Sequence, residues 1–170
     1  MARVDEAAAL LDFVVRNEPH LAPWEPARPP GYFTVEHWRD RLVTFRDLWL
    51  AGSAYRFHLF EKGAASRVIG SIGLSNVVRG AFQCAHLGFG LDHASVGRGL
   101  MLEAVNATVA FAFDRADLHR VEANHQPHNL RSAAVLRRAG FEIQGYARDY
   151  LFLDGAWRDH VLTAKTRLSR

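Results

Sequence analysis

The chain has 170 residues, of which 49% are hydrophobic and 23% are charged, with 21 Lys and Arg residues against 18 Asp and Glu residues. This length and composition predict one globular domain spanning residues 1–170 and exclude a disordered or collagen-like chain. The longest apolar stretch falls short of the roughly 20 residues that cross a bilayer, so no membrane span is expected. The formal net charge of +3 at pH 7 fits either an ordinary solvated surface or an anionic partner such as RNA.

The amino-terminal residues and the cysteine count favour a cytoplasmic protein. Asp5 and Glu6 stand where a secretory signal would carry basic residues, and Asp12 interrupts the apolar run that follows. Cys84 is the only cysteine, so the chain cannot form an internal disulfide, and a lone thiol suits a reducing compartment.

Two helices and a stiff loop are predicted in the first third of the chain. Apolar residues recur at helical spacing from Asp5 to Asn17, and Pro19 ends this helix. Five of the six prolines lie between Pro19 and Pro30, which predicts an irregular but rigid loop whose aromatic side chain suits a pocket wall. Thr34 is a favourable cap for the second helix, whose apolar stripe is Trp38, Leu42, Phe45 and Trp49.

Three strands are predicted next. Apolar and polar residues alternate in Tyr55–Leu59 and Arg67–Leu74, which predicts a hairpin turned at Lys62-Gly63. Phe82–Leu91 is predicted as a third strand. Its two glycines, at 88 and 90, favour a bulge or a close approach of a ligand to the backbone.

The rest of the sequence predicts a β-loop-α-β-α unit and two final strands. A glycine turn precedes the first helix, and Asp154-Gly155 folds the last segment into a hairpin. The predicted ranges, in chain order, are helix Leu100–Asp117, strand Arg120–Asn124, helix Asn129–Ala139, and strands Phe141–Ala147 and Tyr150–Thr166.

The turn between Leu91 and Leu100 can bind an anion. A helix N-terminus offers unpaired N–H groups and the positive end of a dipole, Gly97 and Gly99 let a diphosphate approach the backbone, and Arg98 can add a charged contact. A Gly-x-Gly turn alone is more often a plain strand-to-helix connection. Neither a Walker loop nor a dinucleotide fingerprint matches, which disfavours nucleotide hydrolysis and hydride transfer.

Residues 94–99 resemble the coenzyme A pyrophosphate loop of the GNAT acetyltransferases, whose pattern is Gln/Arg-x-x-Gly-x-Gly/Ala. Ala94 stands where the family usually has Gln or Arg, so we expect weaker or rearranged binding. The resemblance implies the GNAT acyl-CoA N-acyltransferase fold, an α/β (α+β) fold with a mixed, mostly antiparallel sheet and helices on both faces. It also implies acetyl-CoA as co-substrate, bound by Phe89, Leu91, Val96, Gly97, Arg98, Gly99, Leu100, Asn129 and Ser132.

A second motif, Asn129 followed three residues later by Ser132, lies on one helix face at its N-terminal end. The plain alternative is a cap and an unremarkable serine. The motif resembles the Asn-x-x-Ser of the RimL-type branch, which implies Ser132 as general acid for the departing thiolate. Asp149 and Glu122 are the candidate bases, with His119 behind them, although an α-amine with a pKa near 7.7 to 8.0 can react through a water relay.

Five longer stretches resemble the RimJ subgroup, the ribosomal-protein-alanine N-acetyltransferases: residues 20–26, 75–80, 127–129, 145–150 and 154–161. This implies direct attack, in a ternary complex, by the N-terminal α-amine of a protein such as a ribosomal protein, with ribosome association. Trp24, Glu25, Asn76 and Tyr150 would line the acceptor side, although Trp24 also fits a packing role. A small-amine acetyltransferase and a non-catalytic CoA-binding factor remain alternatives.

Two further expectations concern the sheet edge and metals. Family members normally begin with a strand beside Tyr55–Lys62, and this chain begins almost directly with a helix, so the first strand is predicted to be missing. Because an unpaired edge invites self-association, a homodimer is one expected consequence. No metal is expected, since His119, His125 and His128 lack a short ligand motif.

Overall fold

The computed structural model describes residues 4–61 and 63–167, without the side chains of residues 64–66. These residues form a single mixed sheet with helices on its two faces. The helices are α1 Ala7–Arg16, α2 Glu18–Leu21, α3 Val35–Leu50, α4 Leu100–Asp114 and α5 Leu130–Arg138. The strands are β1 Tyr55–Glu61, β2 Ala64–Val78, β3 Cys84–Leu91, β4 Arg120–Glu122, β5 Glu142–Leu153 and β6 Ala156–Thr166.

The sheet has the order β1-β2-β3-β4-β6-β5, and β3 and β4 are its one parallel pair. They pair only over Cys84–His86 and Arg120–Glu122, while β3 continues to Leu91. In the described part of the chain, the last five residues of β3 therefore have a strand partner on the β2 side alone. The two strands diverge there, and the gap between them is where a ligand can reach free backbone groups.

Alternation along the strands builds two apolar clusters, one on each face of the sheet. On one face, α4 packs its buried Val105 and Val109 against Ile72 and Leu87 of the sheet. On the other, α1 and α3 contribute a cluster that consists of Ala7, Leu10, Phe13, Val14, Leu21, Trp38, Leu42 and Val68. This second cluster holds α1 in place. The position of α1 matters because the C-terminal end of this helix contacts the loop before α4.

The helix ends follow the capping residues that the sequence contains. Thr34 begins α3 by accepting a hydrogen bond from the backbone N–H of His37 at 3.2 Å. Asn129 begins α5 in the same way, by accepting from the N–H of Ser132 at 3.1 Å. Gly140, at φ +81°, follows α5 in the left-handed conformation that glycine adopts at low cost.

Several predicted boundaries are corrected. The third strand begins at Cys84 instead of Phe82, α4 ends at Asp114 instead of Asp117, and β4 ends at Glu122. In place of two strands broken near residue 148, β5 is continuous from Glu142 to Leu153. The register against β6 shifts between Ala147 and Leu151, so the residues predicted as a break form a bulge that keeps its strand pairing on both sides.

The described residues contain no strand before β1, and β1 lies at one edge of the sheet. The expectation of an open edge there is met for residues 4–61, and the first three residues lie outside the description. Lys62 of the predicted hairpin turn also lies outside it. No helix in the described part is long and apolar enough to span a membrane.

Candidate active site

A cleft of about 510 Å³ opens where β3 and β4 diverge. It is bounded by the end of β3, the turn before α4 with the first residues of that helix, one side of α5, and the end of α2 with the residues that follow it. Eight of the nine predicted cofactor residues line it: Phe89, Leu91, Val96, Gly97, Gly99, Leu100, Asn129 and Ser132. The ninth, Arg98, lies 3.9 Å from Glu61 as a largely exposed ion pair and does not line the cleft.

The turn before α4 presents backbone donors to the cleft. Gly97 and Gly99 have φ values of +85° and +78°, in the region that favours glycine, and a Cβ built on either would point into open space. Gly99 is the N-cap of α4 and contributes no side-chain cap, so the first N–H groups of the helix stay free of an intrahelical partner. A diphosphate is the group that such a helix start binds well.

The C-terminal end of α1 fixes this turn. Asn17, 1% exposed, accepts a hydrogen bond from the N–H of His93 at 2.9 Å and donates to the carbonyl of Phe13 at 2.9 Å. Arg16 donates to the carboxylate of Asp92, which in turn accepts from the N–H of Ala94 at 3.2 Å. The 3₁₀ turn His93–Ser95 is therefore tied to a helix more than 70 residues earlier in the chain.

Asp92 is buried, and its pKa is set by two opposing effects. Burial acts to raise the pKa of the carboxyl, but hydrogen bonds from Arg16 and from the N–H of Ala94 outweigh burial, so the pKa is lowered. Asp92 is thus an anion that neutralises Arg16 and holds the N–H of Ala94, which fixes the turn that leads into α4. Sequence reasoning missed Arg16 and Asn17, whose one signal is two polar residues at the end of an apolar helix.

The lining of the cleft is rich in positive charge. Arg131 and Arg138 come from one face of α5, and the carboxylate of Glu25 is the single acidic group among the lining residues. His20 also lines the cleft, and its pKa is lowered by burial and by the nearby His93 and Arg131, so it is neutral at pH 7. The sequence analysis did not single out these arginines, although their spacing of seven puts both on one helical face.

Ser132 lies at the N-terminal end of α5, opposite the free side of β3. It is partly buried and lines the cleft together with Phe89 and Leu91. Its backbone N–H is held by Asn129, while its hydroxyl has no hydrogen-bond partner in the described part of the chain. The hydroxyl is free to donate to a ligand atom in the cleft.

Trp24 and Glu25, predicted for the acceptor side, also line the cleft. The centroid of the Trp24 ring lies 5.3 Å from that of His128. Trp24 therefore packs against His128 and also forms part of the cleft wall. Burial raises the pKa of Glu25, while Arg28, which donates to its carboxylate at 3.1 Å, opposes the rise. Glu25 also lines a second cavity of about 460 Å³ on the α1 and α3 side of the sheet.

The structure does not bring Asn76 or Glu122 to the cleft. Asn76 has φ +51° in β2 and its amide lies 3.2 Å from His86 Nδ1. Glu122 accepts from Arg120 Nε at 2.7 Å and lies 3.1 Å from His86 Nε2.

Tyr150 and Asp149 lie on β5, also outside the cleft lining. The Tyr150 hydroxyl accepts from the amide of Asn124 at 3.1 Å. Asp149, at φ +48°, is exposed on the bulge, and its N–H donates to Asp159 at 2.9 Å. The proposed roles of Asn76, Tyr150, Asp149 and Glu122 stay predictions.

Two other sorts of chemistry find no support among residues 4–61 and 63–167. No group of three or more His, Cys, Asp or Glu side chains there is placed to hold a metal ion. Cys84 is buried, and burial followed by the charge of Glu122 raises its pKa to about 11, so its thiol stays protonated at neutral pH.

Comparisons with known proteins identify the family of the chain. Residues 2–142 match the family model of the acetyltransferase (GNAT) domain. The chain is 42% identical over 161 residues to the [ribosomal protein uS5]-alanine N-acetyltransferase of Escherichia coli (strain K12), covering 95% of this chain and 82% of that relative.

Two solved structures are similar throughout. One is the ribosomal-protein-S5-alanine acetyltransferase of Vibrio fischeri, with a TM-score of 0.94, 38% identity, and coverage of 98% of this chain and 91% of that one. The other is Mycobacterium smegmatis RimJ in complex with CoA-disulfide, with a TM-score of 0.90, 31% identity, and coverage of 99% and 81%. The family model spans most of the sequence and the identity extends over nearly all of it, so the chain belongs to the GNAT acetyltransferase family.

Proposed function

We propose that this protein transfers the acetyl group of acetyl-CoA to the N-terminal α-amine of a protein, such as a ribosomal protein. The observation that carries the proposal is the single cleft that joins the glycine turn, the free side of β3, Ser132 and Glu25. The E. coli and V. fischeri relatives are named for acetylating the alanine of a ribosomal protein, which supports this acceptor class.

The residues of the cleft fit coenzyme A. Backbone N–H groups at the start of α4 suit its diphosphate, and the guanidinium groups of Arg131 and Arg138 supply further positive charge for phosphate. Apolar side chains of Leu91, Leu100 and Val135 line the same cleft and suit the less polar part of the molecule. When bound, acetyl-CoA supplies an activated thioester.

The free side of β3 and Ser132 serve the transfer step. Backbone N–H groups of the Phe89–Leu91 segment can donate to the acetyl carbonyl oxygen as negative charge develops on it. The amine nitrogen forms a bond to the carbonyl carbon, the carbon–sulfur bond breaks, and the Ser132 hydroxyl donates its proton to the departing sulfur. The serine regains a proton from the amine, directly or through water.

Glu25 is suited to receive the amine. It is the carboxylate that lines the cleft, and the raised pKa caused by its burial brings its basicity closer to neutral pH. An α-amine has a pKa near 7.7 to 8.0, so only modest help is needed to deprotonate it. Glu122 and Asp149 remain the other candidate bases, and variants of all three separate the possibilities.

The two alternatives are less well supported. A polyamine site needs several carboxylates, and the cleft lining has one. A non-catalytic CoA-binding factor does not require a serine with a free hydroxyl at the start of α5. A cytoplasmic location is proposed from the lone cysteine and the acidic N-terminal residues, and ribosome association from the ribosomal-protein relatives. A homodimer through the open edge of β1 is proposed because an unpaired strand edge favours self-association.

The test is a rate comparison. Purified protein is incubated with acetyl-CoA and, in separate reactions, with peptides that differ in their first residue, with free amino acids and with spermidine, and thiol release is followed. We expect turnover of peptides with a free N-terminus. Turnover of the small amines alone contradicts the proposal.

A further inference from the structure

The second cavity lies between α1, α3 and the first two strands. It has a volume of about 460 Å³ and shares Glu25 with the cofactor cleft. Its walls combine apolar side chains, such as Phe13 and Trp38, with the guanidinium groups of Arg28, Arg41 and Arg56. The two cavities therefore adjoin at Glu25, and the second one is lined by three arginines.

Arg41 and Arg56 form no ion pair with a carboxylate in the part of the chain that the structure describes. Both guanidinium groups lie over the ring of Phe45, at 4.7 Å and 5.3 Å from its centroid. Arg56 makes one side-chain hydrogen bond, to the Ser71 hydroxyl at 3.4 Å. Within residues 4–61 and 63–167, no carboxylate lies within 4 Å of either group.

The remaining ionisable groups of the cavity offset these two charges only in part, through the charge of Glu25 acting on Arg56. Glu25 itself accepts from Arg28 at 3.1 Å, and Arg28 also lies 3.9 Å from Glu18. His58 is buried, and burial followed by the charge of Arg56 lowers its pKa to about 4, so it is neutral at pH 7. Burial also raises the pKa of Tyr32. His37 is the last of the ionisable residues that line the cavity.

Burial, followed by the like charge of Arg41, lowers the pKa of Arg56, while the charges of Glu25 and Tyr32 oppose the shift. Such an arrangement is stabilised by an anion that both can contact, and guanidinium groups suit a carboxylate or a phosphate. The two arginines make the cavity unsuited to a polycation, because they disfavour an acceptor with further positive charge near its amine.

We propose that the Arg41–Arg56 cavity binds an acidic side chain that follows the N-terminal residue of the acceptor polypeptide. The inference rests on the proposed function, since it assigns the amine to Glu25 and the acidic group to the adjoining chamber. A cavity of this size and with apolar walls has room for a short stretch of peptide together with the carboxylate. The protein thus selects N-termini that carry Asp or Glu close behind the reactive amine.

The test compares peptides that share an alanine N-terminus and differ by Glu or Gln at one position from two to five. For wild type, kcat/KM is expected to be about tenfold or more higher with Glu at the best position, as charged hydrogen bonds predict. Arg41→Gln, on the exposed side of α3, is expected to abolish that preference and to leave the Gln peptides unchanged. Arg39→Gln, exposed on the same helix and outside the cavity, is the control.

Arg56→Lys and Arg56→Gln form a second pair of variants. Arg56→Lys is expected to keep part of the preference for Glu peptides over Gln peptides. Equal rates for Glu and Gln peptides at every position overturn the inference while leaving N-terminal acetylation intact. An equal loss for both peptides in Arg41→Gln also overturns it, because that result marks a structural role.

Binding of the acetylated Glu and Gln peptides to protein with coenzyme A, measured by calorimetry, gives a readout that needs no turnover. If no peptide is acetylated, the proposed function fails, and tighter binding of the Glu peptide, lost in Arg41→Gln, still supports the anion cavity. Free glutamate, AMP and inorganic phosphate serve as competitors. Stronger competition by any of these than by the Glu peptide would assign the cavity to a small anion and overturn the peptide proposal.

Discussion

Replacing Asn17 by Ala tests whether α1 holds the phosphate-binding turn in place. The carbonyl of Phe13 keeps a hydrogen bond from the backbone N–H of Asn17 at 3.2 Å, so the loss falls on the N–H of His93, whose partner is removed. A partly buried donor left in this way costs about 1–2 kcal/mol. For a chain of this length, that lowers Tm by about 2–8 °C.

The same substitution is expected to raise the KM for acetyl-CoA by up to about tenfold, because part of the binding free energy is spent on ordering the turn. Urea unfolding and initial rates at varied acetyl-CoA measure the two effects, with Asn106→Ala on the exposed side of α4 as the control. A normal KM in a destabilised Asn17→Ala would refute the positioning role. Unchanged stability would refute the hydrogen-bond argument itself.

Four other substitutions probe the site and its anchors. Gly99→Ala imposes a side chain at φ +78°, costs about 1–2 kcal/mol and raises the KM for acetyl-CoA with kcat little changed. Ser132→Ala lowers kcat about 100-fold at saturating acetyl-CoA. Wild type loses on the order of 3 kcal/mol of unfolding free energy as pH falls from 6.5 to 4, because His58 binds a proton in the unfolded chain at higher pH than in the folded protein. His58→Gln flattens this dependence of the unfolding free energy on pH, as measured by urea titrations. The advantage of wild type over Asp92→Asn is full above about pH 4 and is lost as pH falls through the lowered pKa of Asp92.

Each of these has a clear contrary result. A Gly99→Ala protein with a normal KM would mean that the turn does not bind the cofactor, and full turnover by Ser132→Ala would remove its role as general acid. A pH slope that survives in His58→Gln would place the buried neutral histidine elsewhere. A constant difference between wild type and Asp92→Asn down to pH 2 would contradict the lowered pKa.

The elements that the sequence predicted well are those with strong local signals. The stripe of apolar residues that begins after Thr34 became α3, and Asn129 became the cap of α5. Eight of the nine residues predicted to bind the cofactor lie together around one cleft, and their contacts with it stay a prediction. Periodicity, caps and a glycine turn are properties of short segments, so they can be read without knowing the fold.

The features that escaped prediction depend on contacts between distant segments. The links from Arg16 and Asn17 to Asp92 and His93 join residues 76 apart, and each residue looks unremarkable in its own segment. The bulge at Asp149 was taken for a break because β-bulges and turns use similar residues, and only the pairing with β6 separates them. Arg98, predicted to contact the cofactor, lies 3.9 Å from Glu61 on the surface, and its cofactor contact stays a prediction.

The most direct test of the central claim uses one peptide that contains both a free alanine N-terminus and an internal lysine. After incubation with acetyl-CoA and protein, tandem mass spectrometry locates the added acetyl group. The account predicts acetylation of the α-amine, with the lysine side chain left free. Acetylation of the lysine with the α-amine left free would contradict it.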